Sequence, residues 1–205
     1  MRLPPAKNIA VLISGRGSNL KSIVAVQPSL GADIKLVLSN KASAGGLIFA
    51  ESNGIDTVVL SHREFGDRQS YDEALVEVLR AHDIDVVVLA GFMRVLGPTF
   101  ISAFSNRILN IHPSLLPSYP GLDAQGQALE HGAKVSGCTV HLVDEGTDTG
   151  PIVDQAVVPV LPGDTRESLA ERILVHEHRI LPRALGWLVQ GRLELQGRNV
   201  VVHEV

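Results

Sequence analysis

The stretch Asn8-Ile9-Ala10-Val11-Leu12-Ile13-Ser14-Gly15-Arg16-Gly17-Ser18-Asn19-Leu20 decides the fold. A short unbroken apolar run reads as a buried strand, and the glycine turn behind it leads into a helical stretch from Ser18 to Val26. Three more runs rich in Val, Ile and Leu follow: Ile34 to Ser39, Thr57 to Leu60 and Ile84 to Ala90. Helical stretches separate them. One covers Ala44 to Glu51; in another, Asp67 is placed to cap a helix on which Tyr71, Ala74, Leu75, Val78 and Leu79 recur at helical spacing. This alternation predicts an α/β protein with a mostly parallel, doubly wound, Rossmann-like sheet and right-handed crossovers.

The rhythm changes after Arg107. Arg107 to His112 reads as a fifth strand, followed by a segment dense in Pro113, Pro117, Pro120 and Gly121 and a short helix from Ala124 to Glu130. Val135 to Val143 and Ile152 to Val160 are close enough in sequence to form an antiparallel C-terminal strand pair. Thr165 opens a long C-terminal helix with Leu169, Ile173, His176 and Ile180 on one stripe, and Pro182 is expected to kink or end it. No linker or internal repeat interrupts the chain, so residues 1–205 are expected to form a single domain. Its two halves cover about 1–105 and about 106–205.

Composition narrows the function. Hydrophobic residues make up 45% and charged residues 20% of 205, which is ordinary globular usage and excludes a disordered or fibrous chain. A formal charge of −4 with scattered Lys and Arg gives no global attraction to nucleic acid. No run approaches the roughly 18 apolar residues of a membrane span, so no membrane association is expected. The single Cys138 has no intramolecular disulfide partner, and a lone thiol suits a reducing, cytoplasmic setting.

Chemistry concentrates at three places. A Gly-rich turn between a strand and a helix aims backbone N–H groups at an anion, so Ser14 to Leu20 is either a phosphate site or a tight turn with Ser18 as helix cap. Leu20 stands where a dinucleotide fingerprint needs its third glycine, and no nucleotide P-loop sequence is present, which favours a monophosphate. The second place is Asn110-Ile111-His112-Pro113-Ser114-Leu115-Leu116-Pro117 at a strand end, the edge where open α/β sheets bind ligands. Asn110 and His112, two apart on a strand, share a face. They are either turn-capping residues or an oxyanion donor beside a proton-transfer group, as acyl transfer requires. The third is the loop Asp144-Glu145-Gly146-Thr147-Asp148-Thr149-Gly150-Pro151, whose acceptors lack the spacing of a calcium-binding EF-hand; no metal is expected.

Other reactive residue types read differently. Cys138 shares a strand face with Val140 and Leu142 and is expected to be buried and inert. His141, on the opposite face, is either a polar neighbour of the site or a satisfied structural histidine. His176 and His178 point away from each other on their helix and cannot clamp one metal.

The phosphate turn Ser14 to Leu20, the run Ala90-Gly91-Phe92-Met93-Arg94, the Asn110 to Pro117 motif, the Asp144 to Pro151 loop and the helix bearing Glu177 together resemble the phosphoribosylglycinamide formyltransferases, in the folate-dependent formyltransferase family. The resemblance runs from about Asn8 to Leu188 and implies a phosphate-binding half at about 1–105 and a catalytic and folate-binding half at about 106–205. It implies transfer of the formyl group of 10-formyltetrahydrofolate to the amine of glycinamide ribonucleotide (GAR), giving formyl-GAR and tetrahydrofolate in de novo purine biosynthesis. The folate would be a consumed cosubstrate, with no tightly bound cofactor and small molecules as the only partners. Asn110, His112 and Asp148 would be catalytic, Gly17, Ser18 and Asn19 would hold the substrate phosphate, and Glu177 the ribose hydroxyls. Arg68, Met93, Arg94, Val95, Leu96 and Asn110 would contact the folate, with backbone from Asp144 to Asp148. On side-chain character alone, Met93, Val95 and Leu96 read equally well as core.

The resemblance also implies a cis peptide at Leu116-Pro117. Asp123-Ala124-Gln125-Gly126 departs from the family, where His or Asn with another His is common. Related deformylases usually carry an extra N-terminal domain, whereas the first strand here begins by Asn8, and methionyl-tRNA formyltransferases have an additional C-terminal domain for which this chain is expected to have no room. A non-catalytic phosphate-ligand-binding module is the alternative from another class, and it would have no reason to gather Asn110, His112 and Asp148 around one point. Oligomeric state is open, a homodimer being compatible.

Overall fold

The computed structural model describes residues 1–204. Seven strands form one sheet in the order β3-β2-β1-β4-β5-β6-β7. Their ranges are β1 Asn8–Ile13, β2 Asp33–Ser39, β3 Asp56–Val59, β4 Val86–Leu89, β5 Ile108–His112, β6 Val135–Leu142 and β7 Ile152–Pro159. The first five are parallel to one another, and β6 is antiparallel to both β5 and β7. The mostly parallel sheet with its antiparallel C-terminal pair is therefore as the sequence implied.

Helices α1 Ser18–Leu30, α2 Gly45–Ser52, α3 Arg68–Ala81, α4 Pro98–Ala103, α5 Ala124–Glu130 and α6 Arg166–Val189 cover the sheet. Alternate residues of β1 feed two cores. Ile9, Val11 and Ile13 pack with Leu20, Ile23, Ile173 and Leu181 on one face, while Ala10 and Leu12 pack with Leu75, Leu79 and Phe100 on the other. A strand buried on both faces must be apolar throughout, which is why Asn8 to Ile13 shows no alternation.

Local chemistry sets the helix ends. Asp67 Oδ1 accepts the Ser70 N–H at 2.8 Å and starts α3. Thr165 and Ser168 close a reciprocal capping box on α6. Of the two outcomes expected at Pro182, the helix does not end there: α6 continues to Val189 with Pro182 inside it. A proline in a helix interior costs about 3 kcal/mol through its missing donor and its clash with the preceding turn. Burial of Ile180, Leu181, Ala184, Leu185, Leu188 and Val189 around it offsets that cost. The hairpin of β8 Leu193–Gln196 and β9 Asn199–Val202, and the six-residue α4, carry too few periodic positions to have been marked in the sequence.

Outward from the central pair β1 and β4, connections run in opposite senses, through β2 and β3 on one side and β5 on the other. The strand C-termini at such a switch point open a crevice, and the loops after β1, β4 and β5 meet there.

Candidate active site

The turn after β1 is made of backbone. Gly17 occupies the N-cap of α1 at φ 75° and ψ 33°, and no side chain caps the helix. Ser18 is the first helical residue rather than the cap, so the first-turn N–H groups lack a side-chain acceptor and can meet an anion. A Cβ on Gly17 would stand 2.8 Å from the Cα of Gly46, and the positive φ adds a second reason for glycine. Asn19, almost fully buried, donates from Nδ2 to Oε2 of Glu177 at 2.7 Å, leaving its own Oδ1 unpartnered. The structure thus brings together two residues 158 positions apart in the chain. Burial pushes the Glu177 carboxyl above the ordinary glutamate range, with the Asn19 hydrogen bond opposing the shift.

Asn110 and His112 project from the end of β5, and the loop after β6 returns Asp148 to them. His112 Nδ1 lies 3.3 Å from Asp148 Oδ2, while its Nε2–H donates to the Tyr119 carbonyl at 2.9 Å. Both ring nitrogens face acceptors, an arrangement that the doubly protonated ring satisfies in full. Asp148 sits at φ 54°, a left-handed conformation that turns its carboxylate inward. Its Oδ2 also accepts the Gly121 N–H at 2.8 Å. Burial disfavours its charge, but hydrogen bonds from His141 and Gly121 and the proximity of His112 outweigh that, so the Asp148 carboxyl lies below the ordinary aspartate range.

His141, for which the sequence left two readings, belongs to the cluster. Its Nδ1 donates to the Leu142 carbonyl, and its Nε2 stands 3.0 Å from Asn110 Nδ2 and 3.6 Å from Asp148 Oδ1. Neutral, it accepts from Asn110; protonated, it donates to Asp148. The signal was present in the pairing of the strands, since Asn110 faces His141 in the β5·β6 register.

The loop after β4 separates the proposed folate residues. Met93 and Val95 are exposed, 59% and 61%, so the core reading fails for both. Leu96 is buried in the second core, where its side chain is structural. Arg94 is exposed beside them, and Arg68, also exposed, opens α3. Asp123-Ala124-Gln125-Gly126 forms the start of α5: Asp123, at φ 55°, accepts the Gly126 N–H and pairs with Arg166 at 2.9 Å. The Leu116-Pro117 peptide is cis, as the resemblance implied.

A cavity of about 600 Å³ beside the cluster is lined by Leu116, Pro117, Asp148, Arg198 and Val200. Cys138 is fully buried, and burial pushes its thiol up to about 12, too high for a nucleophile. Among the described residues no group of three His, Cys, Asp or Glu side chains is arranged to hold a metal ion, and no helix is long and apolar enough to cross a membrane.

An uncapped backbone turn after β1 and an Asn-His-Asp cluster at the end of β5, with β4 between them in a Rossmann-like sheet, define a group-transfer enzyme of the α/β class. The chain belongs to the formyl transferase family, whose model matches residues 7–185. It is 45% identical over 190 residues to phosphoribosylglycinamide formyltransferase of Escherichia coli strain K12, covering 92% of this chain and 90% of that one. The trifunctional purine biosynthetic protein adenosine-3 of Drosophila melanogaster is 52% identical over 189 residues, covering 90% of this chain; the match spans 14% of that protein's length. The crystal structure of glycinamide ribonucleotide transformylase 1 from Symbiobacterium toebii superposes with a TM-score of 0.95 at 48% identity, covering 97% of this chain and 95% of that one.

Proposed function

We propose that this chain transfers the formyl group from N10 of 10-formyltetrahydrofolate to the primary amine of GAR, yielding formyl-GAR and tetrahydrofolate. The observation that carries the proposal is the convergence of Asn110, His112, His141 and Asp148 at the end of β5, in the crevice that also holds the uncapped turn at Gly17. Membership of the formyl transferase family and the three relatives above support the same reading.

The amine nitrogen attacks the formyl carbon, the carbonyl electrons move onto oxygen, and a tetrahedral intermediate forms. Asn110 Nδ2–H and the His112 Nε2–H stabilise that oxyanion, each such donor contributing about 3 to 4 kcal/mol where water is excluded. The formyl oxygen takes the place of the Tyr119 carbonyl on His112 Nε2. Asp148 orients His112, and the cluster carries a proton from the attacking amine to N10 as the C–N10 bond breaks, so the reaction has no net proton change. Gly17, Ser18 and Asn19 hold the phosphate through N–H groups, and Glu177 takes the ribose hydroxyls. Arg68, Met93, Arg94, Val95 and Leu96, the last through its backbone, hold the folate, which leaves as tetrahydrofolate rather than remaining as a cofactor. The whole chain works as one catalytic unit on small molecules in the cytoplasm.

An acceptor assay tests the reading. 10-Formyltetrahydrofolate is incubated with the protein and either GAR, water alone or methionyl-tRNA, and tetrahydrofolate release is followed. Turnover is expected with GAR only. Equal consumption with and without GAR would make the protein a deformylase instead.

A further inference from the structure

The phosphate turn and the loop after β4 meet at one side chain that the chemistry above does not use. Ser14 follows β1 directly. Its N–H donates to the Gly91 carbonyl at 3.1 Å. Its hydroxyl accepts the Met93 N–H at 2.8 Å and donates to Asn40 Oδ1 at 2.6 Å. Ser14 and Asn40 are 7% and 4% exposed, so water is a poor substitute for these bonds. The other end of the loop is fastened separately, by the Gly97 N–H donating to buried Asp72 Oδ2 at 2.6 Å. The segment Gly91 to Gly97 is therefore fastened to the phosphate turn at Ser14, by one backbone and one side-chain bond, and elsewhere at Asp72.

We infer that Ser14 is a positioning residue that couples the two substrate sites, its hydroxyl tying the backbone that holds the GAR phosphate to the backbone that holds the folate. The inference rests on the formyl-transfer reading. A ligand that orders the turn after Ser14 also fixes the hydroxyl on which Met93 hangs, so ordering the folate loop then costs less entropy. Linkage makes the effect reciprocal: tetrahydrofolate tightens GAR by the same factor that GAR tightens tetrahydrofolate. Asp72 lies on only one side of this junction and has no comparable effect.

The experiment is calorimetric titration of the whole protein with GAR, without and with saturating tetrahydrofolate, a pair that cannot react. Wild type is expected to bind GAR at least about 5-fold tighter in the presence of tetrahydrofolate, within the usual range for coupled sites. Ser14→Ala should bring that factor close to one while each ligand alone still binds. Asn40→Ala leaves Ser14 in place but frees its hydroxyl, so it should lower the factor part-way, and it carries the test if Ser14→Ala fails to fold. Asp72→Asn should weaken tetrahydrofolate alone and leave the factor unchanged. An undiminished factor in Ser14→Ala or Asn40→Ala, or no coupling in wild type, would overturn the inference and leave formyl transfer standing. Failure of wild type to bind GAR or tetrahydrofolate at all would overturn the function reading beneath it, and the inference with it.

Discussion

The two ends of the crevice hold charge by opposite means. At the Gly17 end the donors are backbone N–H groups on an uncapped helix, and the nearby carboxylate, Glu177, is buried so that its charge is disfavoured. At the β5 end the donors are side chains, and the carboxylate, Asp148, is held ionised by His141, Gly121 and His112. One end presents donors with no side-chain acceptor, as the proposed phosphate site requires, and the other keeps a charge of its own. The first should therefore be sensitive to volume and backbone angle, and the second to single charges.

The largest effect should come from Asp148→Asn, which keeps the shape but removes the charge. Proton-transfer groups of this kind contribute about 10² to 10⁴ in rate, so kcat should fall by that range. Binding of GAR alone should change little, because the proposed phosphate turn follows β1 whereas Asp148 contacts His112 on β5, with β4 between them. Steady-state kinetics with GAR and 10-formyltetrahydrofolate, beside a circular dichroism melt, decide the matter. Full activity in the mutant would remove Asp148 from the proposed chemistry.

Gly17→Val tests the other end. The side chain would be forced into the left-handed region, at about 1 to 2 kcal/mol, and into Gly46. Displacing even one charge-assisted N–H bond, worth about 1.5 to 3 kcal/mol, raises the KM for GAR about 10- to 100-fold. The KM for the folate should move far less. Equal weakening of both substrates would make the turn merely structural.

This contrast also explains what the sequence could and could not reveal. The β1 run and its glycine turn were readable because burial on both faces and a positive φ each demand one residue type. That Asn110 and His112 share a face was readable from their spacing of two on a strand, while a role in chemistry rested on the family resemblance. Asp148 was assigned through its loop motif, whereas its contact with His112 depends on a left-handed backbone angle that no local pattern marked. His141 stayed ambiguous because its partner is set by the β5·β6 register, a tertiary fact. At Pro182 the local rule left a kink or an end open, and packing of α6 on both sides of the proline decided against an end.

The opposite carboxylates predict opposite pH trends in stability. The folded pKa of Glu177 is raised, so the native state binds more protons there than the unfolded chain. Its contribution is complete below the ordinary glutamate value of 4.5 and is lost as pH rises through the folded value. For Asp148 the folded pKa is lowered, so its contribution is present above 3.8 and is lost as pH falls through the folded value. Urea midpoints measured from pH 3 to pH 8 should show both slopes. Glu177→Gln should flatten the decline above pH 4.5 alone, and Asp148→Asn should flatten the loss below pH 3.8 alone. A Glu177→Gln protein with the wild-type slope would mean that its buried carboxyl is as well solvated as in the unfolded chain.

The smallest effect concerns the stretch that departs from the family. Asp123 caps α5 through the Gly126 N–H and pairs with Arg166, the two side chains being 49% and 64% exposed. Asn accepts the same hydrogen bond and tolerates the same left-handed angle, so Asp123→Asn removes the ion pair and leaves the cap. Exposed ion pairs contribute only about 0.2 to 1 kcal/mol and are screened by salt. The melting temperature should fall by a few degrees at most, less at 0.5 M salt than at 0.05 M, with kcat and both KM values unchanged. A raised KM for either substrate, at unchanged stability, would show that Asp123 lines the site rather than starting a helix. That result would move the boundary between the two regions, because it would place a charge facing the ligand on α5, where the structure places only a cap.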